Sequence, residues 1–370
     1  MRLGLIGSGP PGEAYAGALR QLSEAELATV ATVAAVAPGR GLPLRAGVCA
    51  DPATLIALPS LQGVVLASDL APPYPLIRRA LAHGKHVLAA GPFALSADQV
   101  QRLSTLAERN GRLLMFAEER MLSPGFNLLA DMRKGAPRSC FQYLRLLDVR
   151  PRRRESTPPL GAIATEALAL CLRLADRMPT SINAVAAGPL VGSPEAMFIT
   201  LLFGGGLVAS LQVSVSEDWE ARQIVASMAG RTLMLDELDF RTPLHIVSGS
   251  DRPRREVAGA PAPDGAAWQT GSLALAAPPG DPTLRQCQRF LDALSAGRVG
   301  AVNGDLWGRA ARLWEGAERS AALAGTPVPL ENGSREPEGT SQAARLYVIR
   351  GRGQPEPCRA PRPALTLVSV

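Results

Sequence analysis

Apolar residues in the first third of the chain fall in short unbroken runs, separated by stretches whose apolar positions recur at helical spacing. Residues 3–6 read as a buried strand, 7–12 as a Gly/Pro loop and 13–22 as a helix. Further strands are expected over 28–37, 63–68, 85–89 and 112–117, with a helix ending near His83. Ser96 is placed to cap the helix before the last of these strands, and Gln99, three residues on, is its capping-box partner. Apolar strands alternating with helices call for a parallel, doubly wound sheet.

After about residue 120 the pattern changes. A long strand (140–149) and a strongly apolar helix (161–176) precede strand-like segments at 182–187, 196–203, 207–216, 223–229 and 232–236. A mostly antiparallel open sheet covered by helices fits this part. Residues 250–282 are rich in Pro, Gly and Ala and read as a surface excursion, whereas 283–297 and 304–325 read as closing helices. The expected fold class is α/β, a doubly wound domain (1–120) followed by an α+β domain (121–330) for substrate or oligomerisation. A loosely held extension (331–370) follows, in which 346–350 and 365–370 could pair as strands.

A chain of 370 residues is long enough for two cores. Its apolar runs are cut before the roughly 18 residues that span a bilayer, so no membrane segment is expected. The first apolar run stops at Gly7, too early for a secretory signal, and a cytoplasmic protein is the reading. Five widely spaced cysteines without a C-x-x-C pair argue against a disulfide framework or a metal site. Net charge is +6, but nearly all the basic residues are Arg, with Lys only at 85 and 134, which looks like compositional bias. The dense cluster Arg150, Arg152, Arg153 and Arg154 reads as a solvated loop, or alternatively as a site for an anionic group. With 4% aromatics, base-stacking platforms and nucleic-acid partners are not expected.

Gly7, Ser8, Gly9, Pro10, Pro11 and Gly12 spell G-x-G-x-x-G between a strand and a helix. Such glycines permit a tight turn, let the backbone approach a pyrophosphate and allow the helix to pack on the strand, while the helix N-terminus favours phosphate. The segment is therefore read as the dinucleotide loop of a Rossmann domain, and Ser68, ending the third strand, joins the expected cofactor-lining set. The ribose-binding carboxylate usual after the second strand is missing, and Arg40 stands there instead. Arg40 could meet the 2′-phosphate of NADP, which tilts the choice of NAD or NADP toward NADP, or it is a plain loop residue.

The stretch Gly84-Lys85-His86-Val87-Leu88-Ala89-Ala90-Gly91-Pro92-Phe93-Ala94 resembles the G-K-H-V-x-x-E-K-P-x-A segment of the Gfo/Idh/MocA (glucose-fructose oxidoreductase/inositol dehydrogenase) family. The likeness continues through 107–111, through 120–124 (similar to R-F-x-P), through 203–206 and its following strand, and through the closing helices, covering about residues 1–330 in order. The resemblance implies NAD(P)-dependent oxidoreduction of a sugar, polyol or related small molecule. It also implies a Lys of E-K-P at the nicotinamide and a catalytic His on the long helix of the second domain. Here Gly91 and Pro92 occupy the K-P positions, and Ala169 or Leu170 the place of the His, with Glu166 or Thr165 near that of the accompanying Asp.

His83, Lys85 and His86 lie at the wrong sheet edge for chemistry and read as surface or capping residues; Lys134 lies on a polar stretch, and His245 reads as an edge-strand residue or a ligand. Proton transfer would fall to Glu118, Glu119 or Glu166, with Tyr143 a further possibility, provided burial raises a carboxyl pKa toward neutrality. The alternative is a salt-bridged hinge between domains. Three functions stay open: an oxidoreductase with an altered acid/base set, a non-catalytic dinucleotide- or metabolite-binding sensor, scaffold or assembly protein, and a structural partner. Homo-oligomerisation is expected, as in related proteins, because the open sheet needs covering.

Overall fold

The computed structural model describes residues 1–7, 9–31, 47–49, 51–67, 73–91, 93–135, 141–151, 158–188, 193–228, 230–248, 272–276 and 280–330. The first layer contains β1 (Arg2–Gly7), α1 (Gly9–Arg20), β2 (Glu26–Ala31), β3 (Gly47–Cys49), α2 (Pro52–Ala57), β4 (Gly63–Ala67), α3 (Pro73–Ala82), β5 (His86–Ala90), α4 (Ala97–Arg109) and β6 (Leu113–Phe116). A late strand, β15 (Gly300–Ala301), adds to β6, giving the order β15-β6-β5-β4-β1-β2-β3 with every pair parallel. The central strands are largely apolar on both sides of the sheet because both faces are covered. Val64 and Leu66 enter the core under the flanking helices α2, α3 and α4, while Val65 between them faces Tyr15, Leu19 and Phe290 on the other side.

The second layer begins with α5 (Glu119–Leu122), α6 (Pro124–Lys134), β7 (Phe141–Val149) and α7 (Leu160–Ala175). Its strands continue as β8 (Ser181–Ala187), β9 (Ala196–Leu202), β10 (Val208–Ser214), β11 (Ala221–Met228), β12 (Arg231–Asp236), β13 (Leu244–Ser248), β14 (Ser272–Leu275) and β16 (Val328–Pro329). The sheet order is β14-β13-β12-β11-β7-β10-β9-β8-β16, antiparallel except where β7 meets β10. Alternation fixes which face is covered: Leu144, Leu146, Ile199, Leu201, Leu211 and Ile224 point to the buried helix α7. The chain then turns back, because α8 (Pro282–Ser295) packs on α1, and α9 (Gly304–Ala322) lies against both α7 and α4.

The capping box is present as expected: the Ser96 hydroxyl accepts from the Gln99 N–H, and the Gln99 side chain accepts from the Ser96 N–H. Several expectations need correction. The helix after β1 starts at Gly9, not at residue 13, since Pro10 and Pro11 fit a first turn whose N–H groups have no intrahelical partner. The second strand runs over Glu26–Ala31, and residues 32–46 lie outside the described residues. β3 and β15 flank a sheet that the sequence pattern ended at five strands; such two- and three-residue strands carry no periodicity. Lys85 is not a surface residue: it is 6% exposed, and its ammonium donates to the carbonyls of Leu58 (2.6 Å) and Leu61 (2.8 Å).

His86 is half-buried, its Nδ1 accepting from the Leu113 N–H, while Lys134 ends a helix. His245 is not on an edge strand, because β14 pairs outside β13. Residues 272–275 of the expected excursion form that strand, and most of the remainder, with 331–370, lies outside the described residues.

Candidate active site

The glycine loop sits where β1 passes into α1. A Cβ built on Gly7 would lie 2.2 Å from the Ala67 carbonyl oxygen, so β4 closes on β1 only if this residue has no side chain. A Cβ on Gly12 would approach Gly7 to 3.1 Å, which is the close helix-to-strand packing expected of the third glycine. Gly9 adopts φ +67°, a conformation that penalises any other residue, and no atom lies within 4 Å of its Cβ position. The backbone is thus bare and open at the N-terminus of a three-turn helix, a cradle that fits a pyrophosphate. Ser8, Arg40, Ser68 and Pro92 lie outside the described residues. Gly91, expected at the place of the E-K-P lysine, follows β5 with φ +110°, a backbone that an L-residue would strain.

At the carboxyl end of β6 the chain presents Glu118, Glu119 and Arg120 in succession. The strand end is clamped by side chains from distant sequence. Asn303 pairs with both the N–H (3.0 Å) and the carbonyl (2.7 Å) of Phe116, and buried Gln286 accepts from the Glu118 N–H at 2.8 Å. From the same helix α8, Arg289 pairs with Glu118 (3.2 Å) and Arg285 donates to the Leu122 carbonyl (3.3 Å). Four residues of helix are too few to hold themselves; α8 fixes α5.

Glu119 accepts a hydrogen bond from the Tyr15 hydroxyl, which stands on the dinucleotide helix α1. Burial pushes the Glu119 carboxyl up to about 6, the Tyr15 bond and a backbone N–H opposing and the nearby Glu166 and Glu118 charges adding. Burial, then the Glu119 charge, hold Tyr15 well above its ordinary value, so it remains a donor.

Arg120 turns the other way. Its guanidinium pairs with Asp148 (2.5 Å), Glu237 (2.5 Å) and Glu166 (3.3 Å), and Arg150 joins the same group through Asp148 (2.8 Å) and Glu166 (2.7 Å). All five side chains are at most 16% exposed. Burial disfavours both carboxylates, but Arg120 and Arg150 outweigh it and hold Asp148 and Glu166 below their ordinary values. Both arginines are correspondingly raised. Arg150 is therefore an internal counter-charge and not part of a solvated loop; 152–157 lie outside the described residues.

Glu119, Arg120, Arg222, Glu237, Phe240 and Thr283 contribute to a cleft of about 490 Å³, a volume that suits a small molecule. Of the three expected acid/base residues, Glu119 opens on this cleft, Glu118 is tied to Arg289, and Glu166 is locked between two arginines. Leu170 and Ala169, expected at the place of a catalytic His, are fully buried in the apolar core. Tyr143 lies on the second sheet, opposite Val208 and Ser227. Sequence reasoning missed Tyr15, Gln286 and Asn303; the only signal for Tyr15 was a polar-tipped side chain at an apolar helix position. Among the described residues no three His, Cys, Asp or Glu side chains gather as a metal site, and no helix is long and apolar enough to cross a membrane.

Comparison with known proteins agrees with the fold. Residues 1–118 match the GFO_IDH_MocA model, described as an oxidoreductase family with an NAD-binding Rossmann fold. A search of curated proteins finds no match. Among solved structures, UDP-N-acetylglucosamine 3-dehydrogenase GnnA from Acidithiobacillus ferrooxidans is similar at 19% identity and TM-score 0.69, over 87% of this chain and 98% of its own. An NAD binding oxidoreductase from Klebsiella pneumoniae is similar at 17% identity and TM-score 0.72, over 90% of this chain and 99% of its own. Residues 1–118 thus resemble the GFO_IDH_MocA family, and the two layers share the fold of these solved structures.

Proposed function

We propose that this chain is an NAD(P)-dependent oxidoreductase acting on a small molecule, with Glu119 in the proton-transfer role that lysine and histidine fill in the sequences it resembles. The observation that carries this reading is the setting of Glu119: at the carboxyl edge of the parallel sheet, facing the cleft, hydrogen-bonded to Tyr15 and titrating near 6. A bound nicotinamide supplies the hydride half of the chemistry. At neutral pH the ionised carboxylate takes a proton from a substrate hydroxyl or amine, and in the opposite direction it returns that proton to a carbonyl or imine. Tyr15 fixes one carboxylate oxygen and leaves the other for substrate, and a pKa near the working pH suits a group that must gain and lose its proton. Arg40 supports NADP over NAD.

The open sheet supports a homo-oligomer: Val185, Phe198, Leu202 and Met234 are exposed on the face away from α7. Gly91 and Leu170 favour a second reading, a cofactor-binding protein without turnover. Fluorescence titration with NADPH and NADH, then hydride-transfer assays on hydroxyl, carbonyl and imine substrates with wild type and Glu119→Gln, separate the two. We expect saturable binding, tighter for NADPH, and turnover that Glu119→Gln lowers by roughly 10²–10⁴-fold with its cofactor affinity intact. Binding without turnover on every substrate would favour the second reading, and an unimpaired Glu119→Gln enzyme would remove Glu119 from the mechanism.

A further inference from the structure

A second concavity lies away from the cleft, on the outer surface of the first layer between α3 and α4, with a volume of about 450 Å³. Its rim carries three guanidinium groups, Arg78 on α3 and Arg102 and Arg109 on α4, together with Tyr74; Leu103 and Leu106 form its floor. Tyr74 and Arg78 are four residues apart on one helix. Arg102 and Arg109 are seven apart on the other, about 10 Å along the axis, so each helix aims its pair to one side.

Among the described residues only one ion pair involves these three arginines: Arg102 with Asp98 at 2.7 Å. Arg78 and Arg109 are exposed. The neighbouring acids are turned elsewhere: the Glu108 side chain lies beside Gly300, and Asp51 interacts with Arg79. The groove thus holds three positive charges against one negative charge over an apolar floor. Like charges held on two packed helices repel one another, and a multiply charged anion would remove that repulsion while the forked guanidinium donors pair with its oxygens.

We propose that this groove is a ligand site separate from the dinucleotide loop, and that it binds a small polyanion, a di- or oligophosphate or a tricarboxylate. The experiment is isothermal titration of the full chain with sodium pyrophosphate and with citrate at constant ionic strength, repeated with NADPH saturating. One saturable site that persists with NADPH present is expected, weakened at least tenfold by Arg78→Ser/Arg109→Ser and partly restored by Arg78→Lys/Arg109→Lys. Binding of citrate alone or pyrophosphate alone would identify the carboxylate or phosphate source of the same chemistry. Heat that vanishes with NADPH belongs to the Gly9 loop and overturns the proposal, as does no binding of either anion or unchanged binding in the serine variant. The measurement does not depend on turnover, so it stands or falls apart from the role given to Glu119.

Discussion

Glu119 and Arg120 are consecutive in the chain, yet they belong to two regions with opposite electrostatics. On one side, Glu119 meets Tyr15 and no cation pairs with it among the described residues, and burial raises its pKa to about 6. On the other, Arg120 and Arg150 surround Asp148 and Glu166 and hold both carboxyls low. A carboxyl inside the fold thus titrates near neutrality or stays charged there, and the adjacent guanidiniums decide which. The proton-transfer role proposed for Glu119 needs the first environment, whereas the second ties α5 to β7 and α7 within the second layer.

The largest test of this contrast is kinetic. Glu119→Gln should lower hydride transfer by roughly 10²–10⁴-fold, the usual range for loss of a general acid/base, while Glu166→Gln should act chiefly on stability. Next is Asp148→Ala, which leaves Arg120 and Arg150 buried without their shared counter-charge. Urea denaturation should show a loss of about 3–5 kcal/mol, as when one partner of a buried ion pair is removed. A fall below 1 kcal/mol would mean that water already screens the cluster.

The pH dependence should also split between the two regions. Glu119 titrates higher in the folded chain than unfolded, so its folded form binds the extra proton and stability falls as pH rises from about 4.5 to about 6. That shift is worth about 2 kcal/mol, and Glu119→Gln should remove it from unfolding curves measured across this window. Asp148 and Glu166 act in the opposite sense: their contribution is present above their unfolded values and is lost as pH falls through their lowered folded values. The smallest effect belongs to Glu118. Its partner Arg289 is 49% exposed, so Glu118→Ala should cost no more than about 1 kcal/mol in thermal or urea unfolding. A larger loss would show that the contact with α8 bears more of the burden of fixing α5 than an exposed ion pair can.

Much of the first layer was legible because its signals are local. Five apolar runs, a G-x-G-x-x-G turn and a Ser96/Gln99 capping box each act within a few residues. The strands of the second sheet were legible for the same reason, since alternation marks one covered face. The short strands β3 and β15 were not: a two-residue strand gains its place only from the sheet it extends. Glu118, Glu119 and Glu166 were singled out by type and position, but their separate environments were invisible. Arg150 was misplaced because a run of arginines reads as solvated until Asp148 and Glu166 are seen beside it. Lys85 was misplaced because its carbonyl partners, Leu58 and Leu61, lie more than twenty residues away.

The sequence by itself determined the layer order and the glycine cradle, because steric allowance and hydrophobic periodicity are properties of short segments. Only the tertiary structure decided which carboxylate stays proton-active. That choice depends on Tyr15, Gln286, Arg120 and Arg150 converging from four distant parts of the chain, and the energy of a buried charge is set by its neighbours in space.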